Sequence, residues 1–198
     1  MKETLQNIHP DVEQYIQEQV NLRVEKALAE LKDRMSKVEK AVDKRKVAIV
    51  LSSNDFDRVL PAFIIATGAA SFGLQSSIFF TLWGLTVLKE KTLYSGKKIT
   101  EQMLTMMLPS TVEDIGLSKM NMMGAGAKMM KMMLKENHVA SIPELMDVAA
   151  SMEVQLIACK MTMGIMGIRE EELRKDVTYG GVATFIGDAT ESSFTIFI

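Results

Sequence analysis

Cys159 is the single cysteine in a chain of 198 residues, and its neighbours are of the kind that make a thiol reactive. The apolar run Val154-Gln155-Leu156-Ile157-Ala158 before it reads as a buried strand. Thr162 behind it reads as a helix N-cap, followed by a short helical turn that ends near Gly167. The cysteine therefore falls where a strand ends and a helix begins. In an open parallel sheet, ligands bind in the crevice beyond the strand C-termini. Backbone N–H groups around Met161, Thr162 and Met163 are placed to stabilise an anion there, and Lys160 either adds positive charge or faces solvent. Both effects favour thiolate, the nucleophilic form. The alternative is that Cys159 is a small buried hydrophobe.

A second group belongs to the same sheet edge. Val47-Ala48-Ile49-Val50-Leu51 is a continuous apolar run, short enough for a buried strand, and Ser52, Ser53 and Asn54 follow it directly. These three either hydrogen-bond a bound ligand or cap the next helix. Asp55 is expected to cap, since its carboxylate would repel an anionic ligand. His9 and His138 fall in unrelated regions, so neither a histidine metal site nor a Cys/His pair is expected. Gly124-Ala125-Gly126 lacks the strand-before-helix context of a phosphate loop, so no nicotinamide or flavin cofactor is expected.

The elements that must hold these residues alternate along the chain. After Val47–Leu51 comes a helix over 57–70, with Pro61 in its first turn, and then a β-branched and aromatic strand over 77–83. Short helices are expected over 85–93 and 99–107, and a methionine-rich one over 120–134. The helix over 143–152 leads into the cysteine strand. A charged helical piece at 168–175, a strand at 177–179, a helix at 182–189 and a strand at 194–198 complete the order. Such alternation predicts an α/β fold, a parallel five-stranded sheet with helices on both faces.

Residues 1–44 differ from the rest. They hold no glycine and many charges of both signs. Val24, Leu28, Leu31, Met35, Val38 and Val42 step by four and three, an a/d seam flanked by Glu25, Lys32, Arg34 and Glu39. A helix over 11–43 is about 50 Å long at 1.5 Å per residue, and it must bury that seam on the domain or on a copy of itself. The narrow stripe favours self-association. The expected division is an amphipathic, coiled-coil helix over 1–44 and an α/β domain over 45–198.

Composition bounds the rest. The chain is 47% hydrophobic and 24% charged, with net charge -2, which gives no basic footprint for nucleic acid. One cysteine excludes an intrachain disulfide, and the polar N-terminus lacks a secretory apolar stretch, so a reducing cytoplasm is expected. Residues 59–88 carry no charge, a length that could span a bilayer. Glycines, serines and a glutamine break the run near its middle, as in a buried helix followed by a buried strand. The 17 methionines allow three readings for Met120 to Met133: core packing, a soft lid over the cysteine, or Cu(I) ligation.

Several stretches, in order, resemble the DsrE/DsrF-like family, most closely its peroxiredoxin-like labelled branch. They are Ser52-Ser53-Asn54-Asp55-Phe56-Asp57-Arg58, Ala66-Thr67-Gly68-Ala69-Ala70 and Phe79-Phe80-Thr81-Leu82-Trp83-Gly84-Leu85. Leu117 to Gly124, Ala158-Cys159-Lys160-Met161-Thr162-Met163, Tyr179-Gly180-Gly181-Val182-Ala183 and Phe194 to Ile198 complete the set. The resemblance covers about residues 45–198. It implies a flavodoxin-like sheet, a homo-oligomer, and sulfur trafficking in which one cysteine, here Cys159, carries persulfide or thiosulfonate sulfur. It implies rhodanese-like proteins and small TusA-like sulfur carriers as partners. Some relatives have further cysteines, and this chain has none. Two other readings compete: a non-catalytic assembly module built on the N-terminal seam, and a membrane-associated sulfur protein inserted through residues 59–88.

Overall fold

The apolar run at Val47 forms a strand that is buried along its whole length. The computed structural model describes residues 10–42 and 46–198, with side chains in the first segment described over 14–37. Its contacts divide the chain into two units, Met1–Lys44 and Arg45–Ile198.

The first unit contains helix α1 (Pro10–Val42), 33 residues without a glycine. Every side chain described along it is exposed. Val24, Leu28, Leu31 and Met35 form a solvent-facing apolar stripe. Lys37 Nζ donates to Asp33 Oδ2 at 2.7 Å across one turn, a pairing that supports an isolated helix.

In the second unit, β1 (Lys46–Leu51), β2 (Gln75–Phe80), β3 (Gln155–Cys159), β4 (Val177–Gly180) and β5 (Phe194–Phe197) form one parallel sheet in the order β4-β3-β2-β1-β5. Parallel strands need crossovers, and helices supply most of them. α2 (Phe56–Ser71) and α5 (Ile142–Ser151) pack together on one face. There Val59, Phe63, Ala66 and Met146 close the main core over Ile49, Leu51, Ile78, Phe80 and Leu156. α7 (Val182–Glu191) packs against β1 and β4, and a smaller cluster holds Phe79, Ile157 and Cys159, with Phe185 of α7 against it. The alternation of side chains along a strand explains the split: Ile78 and Phe80 point one way and Phe79 the other.

The uncharged run 59–88 supplies much of this core, although Ile64, Phe72, Leu82 and Trp83 within it are exposed. It divides between α2, β2 and a 3-10 segment Leu82–Leu88. Among the described residues no helix is long and apolar enough to cross a membrane.

Several boundaries differ from expectation. The second strand stops at Phe80 rather than at Trp83 because the chain turns into the 3-10 segment, which also replaces the helix expected over 85–93. Gly84 permits this turn: its N–H donates to Ser52 O at 3.0 Å, and a Cβ there would meet Leu51 O at 2.2 Å. The charged piece at 168–175 is a single 3-10 turn, Glu170–Glu172, because Glu172 is drawn into the interior by Lys97. α3 (Ile99–Met107) falls where expected. The methionine helix begins later, as α4 (Ala125–Glu136). Met120, Met122 and Met123 before it hold positive φ values of 56°, 43° and 58°, which a continuous helix excludes. Core packing is overturned for most of these methionines: Met120, Met122, Met123, Met129, Met132 and Met133 are exposed.

Candidate functional site

Three parallel strands end side by side at the site. Leu51 of β1 is level with Phe80 of β2, and Phe80 with Ala158 of β3. The next residues, Ser52, Thr81 and Cys159, therefore stand in a row along the C-terminal edge, where a parallel sheet offers its crevice.

Cys159 closes β3 and is itself the N-cap of α6 (Lys160–Met166), which starts without an intervening loop. This corrects the reading of Thr162 as the cap. Thr162 lies inside the first turn and is fully buried. Its Oγ1 is 3.1 Å from Thr81 Oγ1 and accepts the N–H of Leu82 at 3.2 Å. Leu82 adopts φ 47°, a left-handed conformation that costs energy for a side chain with a Cβ. The end of β2 is thereby pinned to the first turn of α6. Gly167, at φ 65°, ends the helix.

Cys159 is 1% exposed. Burial pushes the Cys159 thiol up, but the hydroxyl and amide of Thr162, the hydroxyl of Thr81 and the amide of Met161 together pull it further down. The outcome is a thiol below its usual range. The side chain closes no capping hydrogen bond onto α6. The same donors favour the charged form, because hydrogen bonds to an anion are the stronger ones. Under the sulfur lie Phe79 and Ile157, with the half-buried ring of Phe185 alongside.

The other residues expected at the site fall into two groups. Lys160 and Met161 are exposed on α6, and Met163 is buried beneath it. At the β1 exit, Ser52 Oγ donates to Ile198 O at 3.0 Å. Ser53 Oγ donates to Asp55 Oδ2 at 2.7 Å and accepts the Asp55 N–H at 3.0 Å. Asn54 Nδ2 donates to Thr86 Oγ1 at 3.1 Å. Ser52 thus ties the β1 exit to the residue that follows β5, Asn54 ties it to the 3-10 segment, and Ser53 bonds only within the turn. Asp55 occupies the N-cap position of α2, but its carboxylate bonds Ser53 rather than a helix amide, which corrects the expected capping role.

Thr81 and Phe185 are the residues that sequence reasoning missed. Thr81 reaches Thr162 because β2 lies beside β3, and Phe185 of α7 packs against the cluster of Phe79, Ile157 and Cys159; nothing in their local sequence marks them. Two cavities, of about 530 and 540 Å³, have no lining residue in common with the sulfur's neighbours. A shallower one of about 360 Å³ borders α6 at Met163, Gly164 and Gly167. Among the described residues no group of three or more His, Cys, Asp or Glu is placed to hold a metal ion.

Residues 43–197 match the family described as DsrE/DsrF/DrsH-like. The uncharacterized protein YrkE of Bacillus subtilis is 41% identical over 155 residues, covering 78% of this chain and 97% of that protein. The sulfur carrier protein DsrE2 of Allochromatium vinosum is 32% identical over 159 residues, covering 79% of this chain and all of its own length.

Proposed function

The chain belongs to the DsrE/DsrF/DrsH-like family, and on that premise we propose that it is a sulfur carrier that holds sulfane sulfur on Cys159 and passes it to a partner thiol. The observation that carries the reading is the place of Cys159, the last residue of β3 and the N-cap of α6 at the C-terminal edge of the parallel sheet. A relative named as a sulfur carrier supports the class of activity.

The exchange is written in two balanced steps. The Cys159 thiolate attacks the sulfane sulfur of a donor persulfide, forming an S–S bond as the donor's S–S bond breaks: Cys159–S⁻ + R–S–SH → Cys159–S–SH + R–S⁻. An acceptor thiolate then attacks the outer sulfur: R′–S⁻ + Cys159–S–SH → R′–S–SH + Cys159–S⁻. Rates follow thiolate fraction, leaving-group pKa and access. With one cysteine per chain, donor and acceptor thiols come from other molecules, and rhodanese-like proteins and small sulfur carriers fit that role. Lys160, exposed beside the sulfur, gives an anionic donor a favourable field. Met161, exposed at 56%, offers a soft apolar contact, and Met163 packs the helix from below. Ser52, Ser53 and Asn54 hold the β1 exit in place. Such exchange is suited to a reducing cytoplasm.

The domain 45–198 would do this work, with residues 1–44 as a self-association helix. The exposed stripe of Val24, Leu28, Leu31 and Met35 supports that second role.

Incubating the protein with polysulfide and weighing it intact tests the carrier reading. One added sulfur, lost on treatment with a small thiol and absent from Cys159→Ser, is expected. An adduct that survives Cys159→Ser, or none at all, overturns it.

A further inference from the structure

Helix α1 is 33 residues long, and every side chain described along it is exposed. A helix with an apolar stripe draws most of its stability from burying that stripe on another element. The stripe of α1 has two halves. Gln17 and Asn21 come first, then Val24, Leu28, Leu31 and Met35, and steps of four and three run through all six. The polar half is itself ordered: Gln17 Nε2 donates to Asn21 Oδ1 at 3.3 Å across one turn. Val20 and Ala27 flank the stripe on one side, and Glu18, Glu25 and Lys32 on the other.

We infer that α1 pairs with α1 of a second copy of this chain, parallel and in register, and that the Gln17–Asn21 ladder fixes this alignment. The inference rests on the self-association reading and adds direction and register to it. In a parallel, unshifted pair every seam residue meets its own copy. Gln17 then faces Gln17, and Asn21 faces Asn21. Each amide offers both donors and acceptors, so an identical amide satisfies it. Val24, Leu28, Leu31 and Met35 close on themselves above this layer. A shift of one heptad instead sets Gln17 on Val24 and Asn21 on Leu28. An antiparallel pair centred on the apolar half sets Val24 on Met35 and Leu28 on Leu31. It also brings Glu25 to Lys32, but it leaves Gln17 and Asn21 with no amide opposite. The ion pair so formed is exposed and contributes little in water. An amide laid against apolar side chains loses its water and finds no replacement. The flanks do not resist the parallel arrangement, because Val20 and Ala27 carry no charge to oppose Glu25 and Lys32 across the seam. A polar residue in such a seam weakens association while selecting one alignment.

Disulfide exchange on the full chain reads the alignment, with Cys159→Ser removing the native thiol. Two such chains, one carrying Val24→Cys and the other Met35→Cys, are mixed, equilibrated in a glutathione redox buffer and weighed intact. Each is expected to form a disulfide dimer with its own kind, with the mixed product present only in traces. A predominance of the mixed product overturns the parallel arrangement and leaves self-association standing. Adding Gln17→Leu and Asn21→Leu to both chains is expected to raise the melting temperature of the helix and to let the mixed product appear. Own-kind dimers alone from those chains overturn the role given to the ladder. Chains that give no disulfide dimer of either kind remove α1 as the joining element, and with it the self-association reading itself.

Discussion

Lys97 and Glu172, 75 residues apart in sequence, meet as an ion pair with N–O distance 2.8 Å and side chains 1% and 0% exposed. Glu172 also accepts the N–H groups of Leu93 and Arg169, each at 2.9 Å, and Lys97 donates to Thr105 Oγ1 at 3.2 Å. One carboxylate thus gathers the loop before α3, α3 itself and the chain just after α6. Burial pushes the Glu172 carboxyl up, but the Leu93 amide, Lys97 and the Arg169 amide together hold it below its usual range. Removing one partner of such a pair strands a buried charge, at a cost of about 3–5 kcal/mol. Glu172→Gln should therefore lower the free energy of unfolding by about that amount, read from equilibrium denaturant unfolding. A loss below about 1 kcal/mol would show that water reaches the pair.

The lowered thiol pKa has a consequence for stability. Between its folded value and the unfolded value of about 8.5, the unfolded chain binds more protons than the folded one, so stability rises with pH. Cys159 contributes nothing below its folded pKa and its full share above about 8.5. Wild-type protein should accordingly gain on Cys159→Ser as pH rises through that window, measured as the difference in unfolding free energy. A difference that stays constant with pH contradicts the bonded-anion site.

Gly84 sits against the backbone of Leu51, where a Cβ would come within 2.2 Å of the carbonyl oxygen. Gly84→Ala should cost about 1–3 kcal/mol through overpacking. Because the same segment carries Leu82 and Thr81, the thiol titration should move with it. Calorimetry and the thiolate titration check the two parts separately.

On α1, Leu28 and Leu31 are exposed neighbours on one stripe. If that stripe joins copies of the chain, Leu28→Glu with Leu31→Glu should lower the mass found by sedimentation equilibrium while the circular dichroism of the α/β unit persists. An unchanged mass would remove the helix as an assembly element.

Much of the architecture was legible in local pattern. Val47–Leu51 and Val154–Ala158 are apolar runs of strand length, and helical segments alternate with them, so a doubly covered parallel sheet follows from period and length alone. The errors share a cause. Phe80 to Trp83 is β-prone throughout, yet the strand stops where Gly84 lets the chain fold back on β1. Ile168 to Lys175 is charged and helix-prone, yet Glu172 is claimed by a lysine from a distant loop. Core packing is one of the readings that apolar methionines invite, but the φ values of Met120, Met122 and Met123 break the helix and leave them facing solvent.

The sequence by itself determined that one sulfur stands at a strand exit, for that is a matter of neighbours within a few residues. Only the tertiary structure decided what surrounds it. Thr81 and Thr162 are 81 residues apart, and they meet because β2 lies beside β3 in the sheet. Strand order is set by how crossovers pack, not by the residues at the strand ends, so the hydroxyl from the neighbouring strand carries no mark in the chain.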